Sequence, residues 1–192
     1  MTTTTYKSLR GARGGLVLWN DPALSSSINA GIFPGVQGSV MLHAVAGKAA
    51  CLGEALRPEF AAYSQSVLDG ARTLAQTLAE GGLRIVTGGT DSGLMLVDLS
   101  AKQITGDLAA KALERAGLAV NKNLIPFDPH PPEAPSGLRL SANAGAARGF
   151  SEQEFRQIGL WILRVLAEPA NDREIDAIRE DVRELCARHP IY

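Results

Sequence analysis

The chain has 192 residues, a net charge of -1 and 45% hydrophobic residues. That is enough apolar chain for one ordinary domain, or for a small domain plus part of another, and the near-neutral charge excludes the basic footprint of a nucleic-acid binder. No apolar run reaches membrane-spanning length, the N-terminus lacks the apolar core of a secretion signal, and Cys51 and Cys186 lie too far apart to form a metal-ligand pattern; a reduced, cytoplasmic protein without metal, membrane or nucleic acid is expected.

The chain opens on four threonines, which favour an extended backbone, and then Lys7 and the basic glycine turn Arg10-Gly11-Ala12-Arg13-Gly14-Gly15. Residues 14–19 read as an apolar strand and residues 20–30 as a polar loop. The segment 31–39, with three glycines and a proline, reads as a further loop. From Val40, the spacing of Met41, Ala44, Val45, Lys48 and Leu52 predicts a helix. Pro58 suits the first turn of another, which runs through Phe60, Tyr63, Val67, Ala71, Leu74 and Leu78 until Gly81-Gly82 stops it.

Beyond Gly82 the pattern shortens. Leu83–Thr87 and Leu94–Leu99 predict an antiparallel pair joined by a polar loop. Thr105 caps a helix that Gly117 closes. Residues 118–127 look extended, and residues 128–136, with four prolines, cannot be regular. Gly137–Ser141 predicts a strand that sets Arg139 among apolar neighbours. Ser151 and Glu154 form a capping box before the apolar face of Phe155, Ile158, Ile162, Val165 and Leu166. Pro169 ends that helix, and Ile175, Ile178, Val182 and Leu185 line the last one. A small α+β domain is therefore expected from about residue 82, while residues 1–80 supply strands and helices that call for a sheet outside this chain.

Two short stretches carry chemistry. Lys7 ends a strand beside two arginines. It is either a solvated lysine, as most are, or an amine placed to form a Schiff base next to a phosphorylated cofactor. The glycines of 31–39 either connect two elements or offer backbone N–H groups to an anion.

Taken together and in order, TTTTYKSLRGARGG, FPGVQGS, GGTDSGLMLVDL, VNKN, SGLRL and ARGF resemble serine hydroxymethyltransferase, a pyridoxal-phosphate enzyme of fold type I, over almost the whole chain. The resemblance implies an α/β chain equivalent to the family's C-terminal portion. Residues 1–81 would be the edge of the cofactor-binding large domain with its long helices, and residues 82–192 the small α+β domain. It also implies roles. Lys7 would form the Schiff base, with Thr4 and Tyr6 beside it in the catalytic group. Arg13, Gly38 and Ser39 would belong to the cofactor region, with Gly38 in the loop that reaches the phosphate held by the partner subunit. Asn123 would contact the folate pterin, and Arg139 would hold the amino-acid carboxylate. Implied with them are pyridoxal 5'-phosphate, tetrahydrofolate as co-substrate, an amino-acid substrate, and either a homodimer or a complementary N-terminal chain carrying the remaining cofactor contacts.

The chain departs from the family pattern near these positions. Tyr6 stands where histidine is usual, Ala12 replaces a proline, Ser39-Val40 replace Gly-Pro, and Ser141-Ala142-Asn143 replace Gly-Thr-Pro. Such clustering admits a variant aldolase or transaldolase of the α-methylserine or threonine type, or a non-catalytic fragment that binds a related chain.

Overall fold

The computed structural model describes residues 1–191. It mixes helix and sheet, and the chain divides into two compact units, Met1–Ala62 and Tyr63–Tyr192.

In the first unit, β1 (Thr2–Thr4) pairs antiparallel with β2 (Gly15–Val17), Thr2 opposite Val17. Residues 20–30 are not the loop that their small, polar composition predicts. Asp21 caps a short turn by accepting from the Ala23 N–H at 2.9 Å, Pro22 occupies its first position, and α1 (Ser25–Ala30) follows directly. Trp19 ties in by donating from its indole to the Ser25 hydroxyl at 2.9 Å. Residues 31–36 continue in helical turns broken at Phe33, whose backbone is extended, so regular structure is interrupted at the Phe33-Pro34 step. From Gln37 the segment is open, as the glycines suggest, until α2 (Leu42–Ala55) begins. Only Thr5 and Cys51 are buried in this unit, and large apolar side chains such as Phe33, Val36, Leu42 and Leu56 are exposed.

α3 (Pro58–Glu80) starts at its proline as predicted and ends where Gly82 takes a left-handed φ of +83°. The division between the units falls inside it. In the second unit its buried positions, among them Val67, Ala71, Leu74 and Leu78, repeat at helical spacing. This face packs against α6 (Glu152–Ala167). The approach is close because two glycines permit it: a Cβ on Gly70 would strike the Phe155 ring, and one on Gly159 would fall 2.8 Å from Thr77.

The sheet of the second unit is antiparallel throughout, in the order β3 (Arg84–Ile85), β4 (Leu94–Asp98), β6 (Gly137–Ser141) and β5 (Asn121–Asn123). β4 and β6 match their predicted spans closely. β3 and β5 are much shorter than the extended stretches in the sequence, because the chain leaves the ladder for a turn organised by Thr90 and for the proline-rich loop. Thr105 caps α4 (Gly106–Arg115) by accepting from the Leu108 N–H, and Gly117 follows at φ +81°. Gly106 and Gly137 lie backbone against backbone. A Cβ on Gly106 would collide with the Gly137 carbonyl, and one on Gly137 would fall 2.7 Å from Ile125 and 2.8 Å from the Asn123 carbonyl. A short helix that the sequence does not announce, α5 (Asn143–Ala147), follows β6. The four apolar positions predicted for the last helix, α7 (Asp172–Arg188), are all buried, and with Leu78, Leu99, Leu113 and Leu138 they fill the core.

The chain end is tied to α6 through its capping box. Glu154 accepts from the Ser151 N–H at 2.8 Å and meets the His189 ring at 2.8 Å, while Arg148 donates to the carbonyls of Cys186 and His189. Partial burial pushes the Glu154 carboxyl up. The Ser151 N–H, His189 and the Ser151 hydroxyl outweigh it, and the group is lowered from 4.5 to about 2. A carboxylate depressed in the folded state stabilises above its unfolded value and loses that contribution as pH falls through its folded value. Between pH 4.5 and about 2 this contact should therefore weaken. Acid titration of unfolding should show a shallower loss of stability in that window for Glu154→Gln than for the unaltered chain.

Candidate functional site

The candidate residues fall on two frames, one in each unit. The first is the turn after β1. Thr5 is fully buried, and its hydroxyl lies 2.6 Å from the Ala12 carbonyl and 3.2 Å from that of Gly14. Its N–H donates to the Gly14 carbonyl and its own carbonyl accepts from the Gly11 N–H. Residues 6–13 are thereby closed at the neck. Arg10 turns the chain in the left-handed region, at φ +57°, and its N–H donates to the Lys7 carbonyl at 2.9 Å.

One face of α2 supports this turn from below. Gly47 and Cys51, one helical turn apart, press on it directly. The Cys51 thiol donates to the Leu9 carbonyl at 3.0 Å, and a Cβ on Gly11 would fall 2.5 Å from its sulfur. A Cβ on Gly47 would fall 2.9 Å from that of Ala12. Lys48 adds a bond to the Gly15 carbonyl at 3.3 Å.

On this frame Lys7 and Arg13 are exposed, and Thr4 and Tyr6 are half-buried. The Tyr6 ring gathers both cations: the Arg13 guanidinium lies 4.5 Å from its centroid and the Lys7 amine 5.7 Å. Among the described residues neither cation has an acidic partner. Lys7 stands in the turn, three residues past the strand rather than at its end. Gly38 and Ser39 are exposed, no described hydrogen bond joins them to the Lys7 turn, and a Cβ on Gly38 would meet nothing within 4 Å.

The second frame is one face of the sheet. On β6, Leu138 and Leu140 are buried while Arg139 and Ser141 point the other way. Arg139 is therefore exposed and not enclosed by its apolar neighbours, as the sequence expectation had it; strand alternation sends them to opposite faces. Arg139 stands opposite Asn121 and donates to its side-chain oxygen at 3.3 Å. Asn123, two residues on, shares that face and donates from its side chain to the Leu124 carbonyl. Arg139 and Asn123 are thus brought to the same side of one sheet.

The loop after β5 is held by Asp128, which the sequence reading passed over. Its carboxylate accepts from the N–H groups of Ile125, His130 and Ser136 and from the Ser136 hydroxyl at 2.7 Å. Burial pushes this carboxyl up, but the four donors together hold it well below the usual range. The signal was present as an Asp-Pro step within a proline cluster, a common turn device. Thr5, Gly47, Cys51 and Asn121 had no such signal, since their roles come from neighbours distant in sequence.

A family model described as serine hydroxymethyltransferase matches residues 1–162. The chain belongs to the serine hydroxymethyltransferase family. Whole-chain similarity agrees. The chain is 52% identical to a serine hydroxymethyltransferase of Jannaschia sp. (strain CCS1), 51% to serine hydroxymethyltransferase 2 of Rhodospirillum rubrum and 52% to a serine hydroxymethyltransferase of Acidiphilium cryptum (strain JF-5). Each match takes in all of this chain but only 45–46% of the relative, so the chain spans about half the length of the curated relatives it matches. Among the described residues, no helix is long and apolar enough to cross a membrane, and no group of three His, Cys, Asp or Glu is placed to hold a metal.

The support of the turn by α2 is open to a direct check. Gly47→Val should displace Ala12 and destabilise the first unit by roughly 1–3 kcal/mol, the usual range for overpacking. Denaturant unfolding followed by Trp19 fluorescence, with Trp161 replaced by Phe, would report that loss.

Proposed function

We propose that this chain is the lysine-bearing, C-terminal portion of a pyridoxal-phosphate-dependent serine hydroxymethyltransferase, interconverting serine and glycine with transfer of a one-carbon unit to tetrahydrofolate. The observation that carries the proposal is Lys7. Its amine is exposed on a rigid turn, with Arg13 gathered to the same ring and, among the described residues, no acidic side chain neutralising either. That donor set fits an anionic aldehyde such as pyridoxal phosphate: an amine to condense with the carbonyl and a guanidinium for negative charge.

When bound, the cofactor supplies an electron sink for the charge released as a bond to the substrate α-carbon breaks. The chain's own residues hold and orient. Lys7 is the nucleophile that anchors the cofactor, and Thr4 and Tyr6 flank it. Arg13 contributes positive charge to the cofactor region, and the backbone around Gly38 and Ser39 offers N–H groups to a phosphate. Arg139 takes the amino-acid carboxylate through its planar fork, a two-point contact that fixes the substrate's orientation. Asn123 offers amide donors and an acceptor to the flat heterocycle of the folate.

In this reading residues 1–81 belong to the edge of a fold-type I large domain and residues 82–192 form its small domain. The other half of the relatives' length would come from a complementary chain or segment, in a cytoplasmic homodimer or a heteromeric equivalent. Tyr6 and Ser141–Asn143, where this chain departs from the family pattern, support a second reading, aldol cleavage of a related β-hydroxy amino acid without folate.

Co-expression with the missing N-terminal half of a relative should yield serine cleavage that depends on tetrahydrofolate. Turnover indifferent to folate would replace the first reading by the second. In the active assembly Lys7→Ala should reduce turnover to background, and Arg139→Lys should raise KM for serine by roughly one to two orders of magnitude, as expected for a lost charged contact.

A further inference from the structure

We infer that Tyr6 is a positioning residue whose ring face, not its hydroxyl, holds the Lys7 amine and the Arg13 guanidinium together as one anion-receiving pair. The inference rests on the cofactor reading of Lys7 and assigns a cause to the arrangement. The two cations approach one ring, at 5.7 and 4.5 Å from its centroid. Like charges repel, and the described residues place no carboxylate between them to offset that repulsion. An aromatic face can. Its quadrupole is negative above and below the ring and attracts a cation within about 6 Å.

The ring has a defined place from which to act. Tyr6 directly follows Thr5, whose buried side chain closes the neck of the turn, and Arg13 lies between the two carbonyls, of Ala12 and Gly14, that the Thr5 hydroxyl reaches. Both ends of the Tyr6–Arg13 contact are thereby anchored by one buried side chain. The ligand class such a pair takes is an aldehyde or ketone bearing a phosphate or carboxylate, with the carbonyl at Lys7 and the anion toward Arg13.

The test uses the 192-residue chain itself and site-resolved labelling. Pyridoxal phosphate is added at low concentration, imines are trapped with borohydride, and peptide mass spectrometry gives the label at Lys7 relative to Lys102, which lies in the second unit and serves as an internal control. Three proteins are compared: unaltered, Tyr6→Phe and Tyr6→Leu, with circular dichroism confirming that each is folded. The unaltered chain should favour Lys7, Tyr6→Phe should keep that preference, and Tyr6→Leu should lower it by roughly two- to fivefold, the size of an exposed cation–ring contact. Labelling with pyridoxal, which lacks the phosphate, should show little difference between the variants. An unchanged preference in Tyr6→Leu overturns the inference and leaves the cofactor reading standing. A loss in Tyr6→Phe equal to that in Tyr6→Leu also overturns it, and transfers the role to the hydroxyl. Absence of any Lys7 preference in the unaltered chain overturns the inference, and the cofactor reading is then decided by turnover of the Lys7→Ala assembly.

Discussion

The five residues of β6 impose the constraint on which the second unit is built. They pair on one side with β4 and on the other with β5, so without them β5 has no partner and β4 keeps only the two-residue β3. Their alternation leaves no freedom: Leu138 and Leu140 go into the core, and Arg139 must go to the other face. A shift of one residue would bury a guanidinium and expose two leucines. The position of the arginine is thus enforced by hydrophobic burial, far stronger than the single hydrogen bond to Asn121 that trims its orientation.

The first unit reaches the same end by different means. It has little core of its own, with only Thr5 and Cys51 buried, yet the Lys7 turn is tightly defined. Its order comes from satisfied backbone groups and close steric contact. One threonine hydroxyl spans two carbonyls, a thiol reaches a third, and two glycines let α2 approach the turn. The tip of this turn, with Lys7, is exposed, so its rigidity is introduced at its base.

What could be read from the sequence follows the range of the forces involved. The caps at Thr105 and Ser151, the apolar faces of α6 and α7 and the spans of β4 and β6 were all legible, because each depends on residues within a turn or two of one another. Lys7 and Arg139 are singled out by the order of the family motifs. The α1 helix was missed because it has no side-chain cap of its own and grows out of the short turn that Asp21 caps, and the short β3 and β5 because strand length is decided by a partner and not by propensity. The support of the lysine turn by α2 was illegible for a further reason: it brings together positions some forty residues apart, where an ordinary glycine and an ordinary cysteine give no local sign of their task.

The contact between Gly106 and Gly137 has a consequence for how this sequence can change over time. Position 137 sits where β4, β5 and the start of α4 converge, and any side chain there would strike Ile125 or the Asn123 carbonyl, while one at 106 would strike the 137 backbone. Neither glycine can be exchanged alone, and no compensating change on one segment relieves the others. Each position is therefore held to glycine for as long as this crossing is kept, and a side chain at either would require the three segments to move apart.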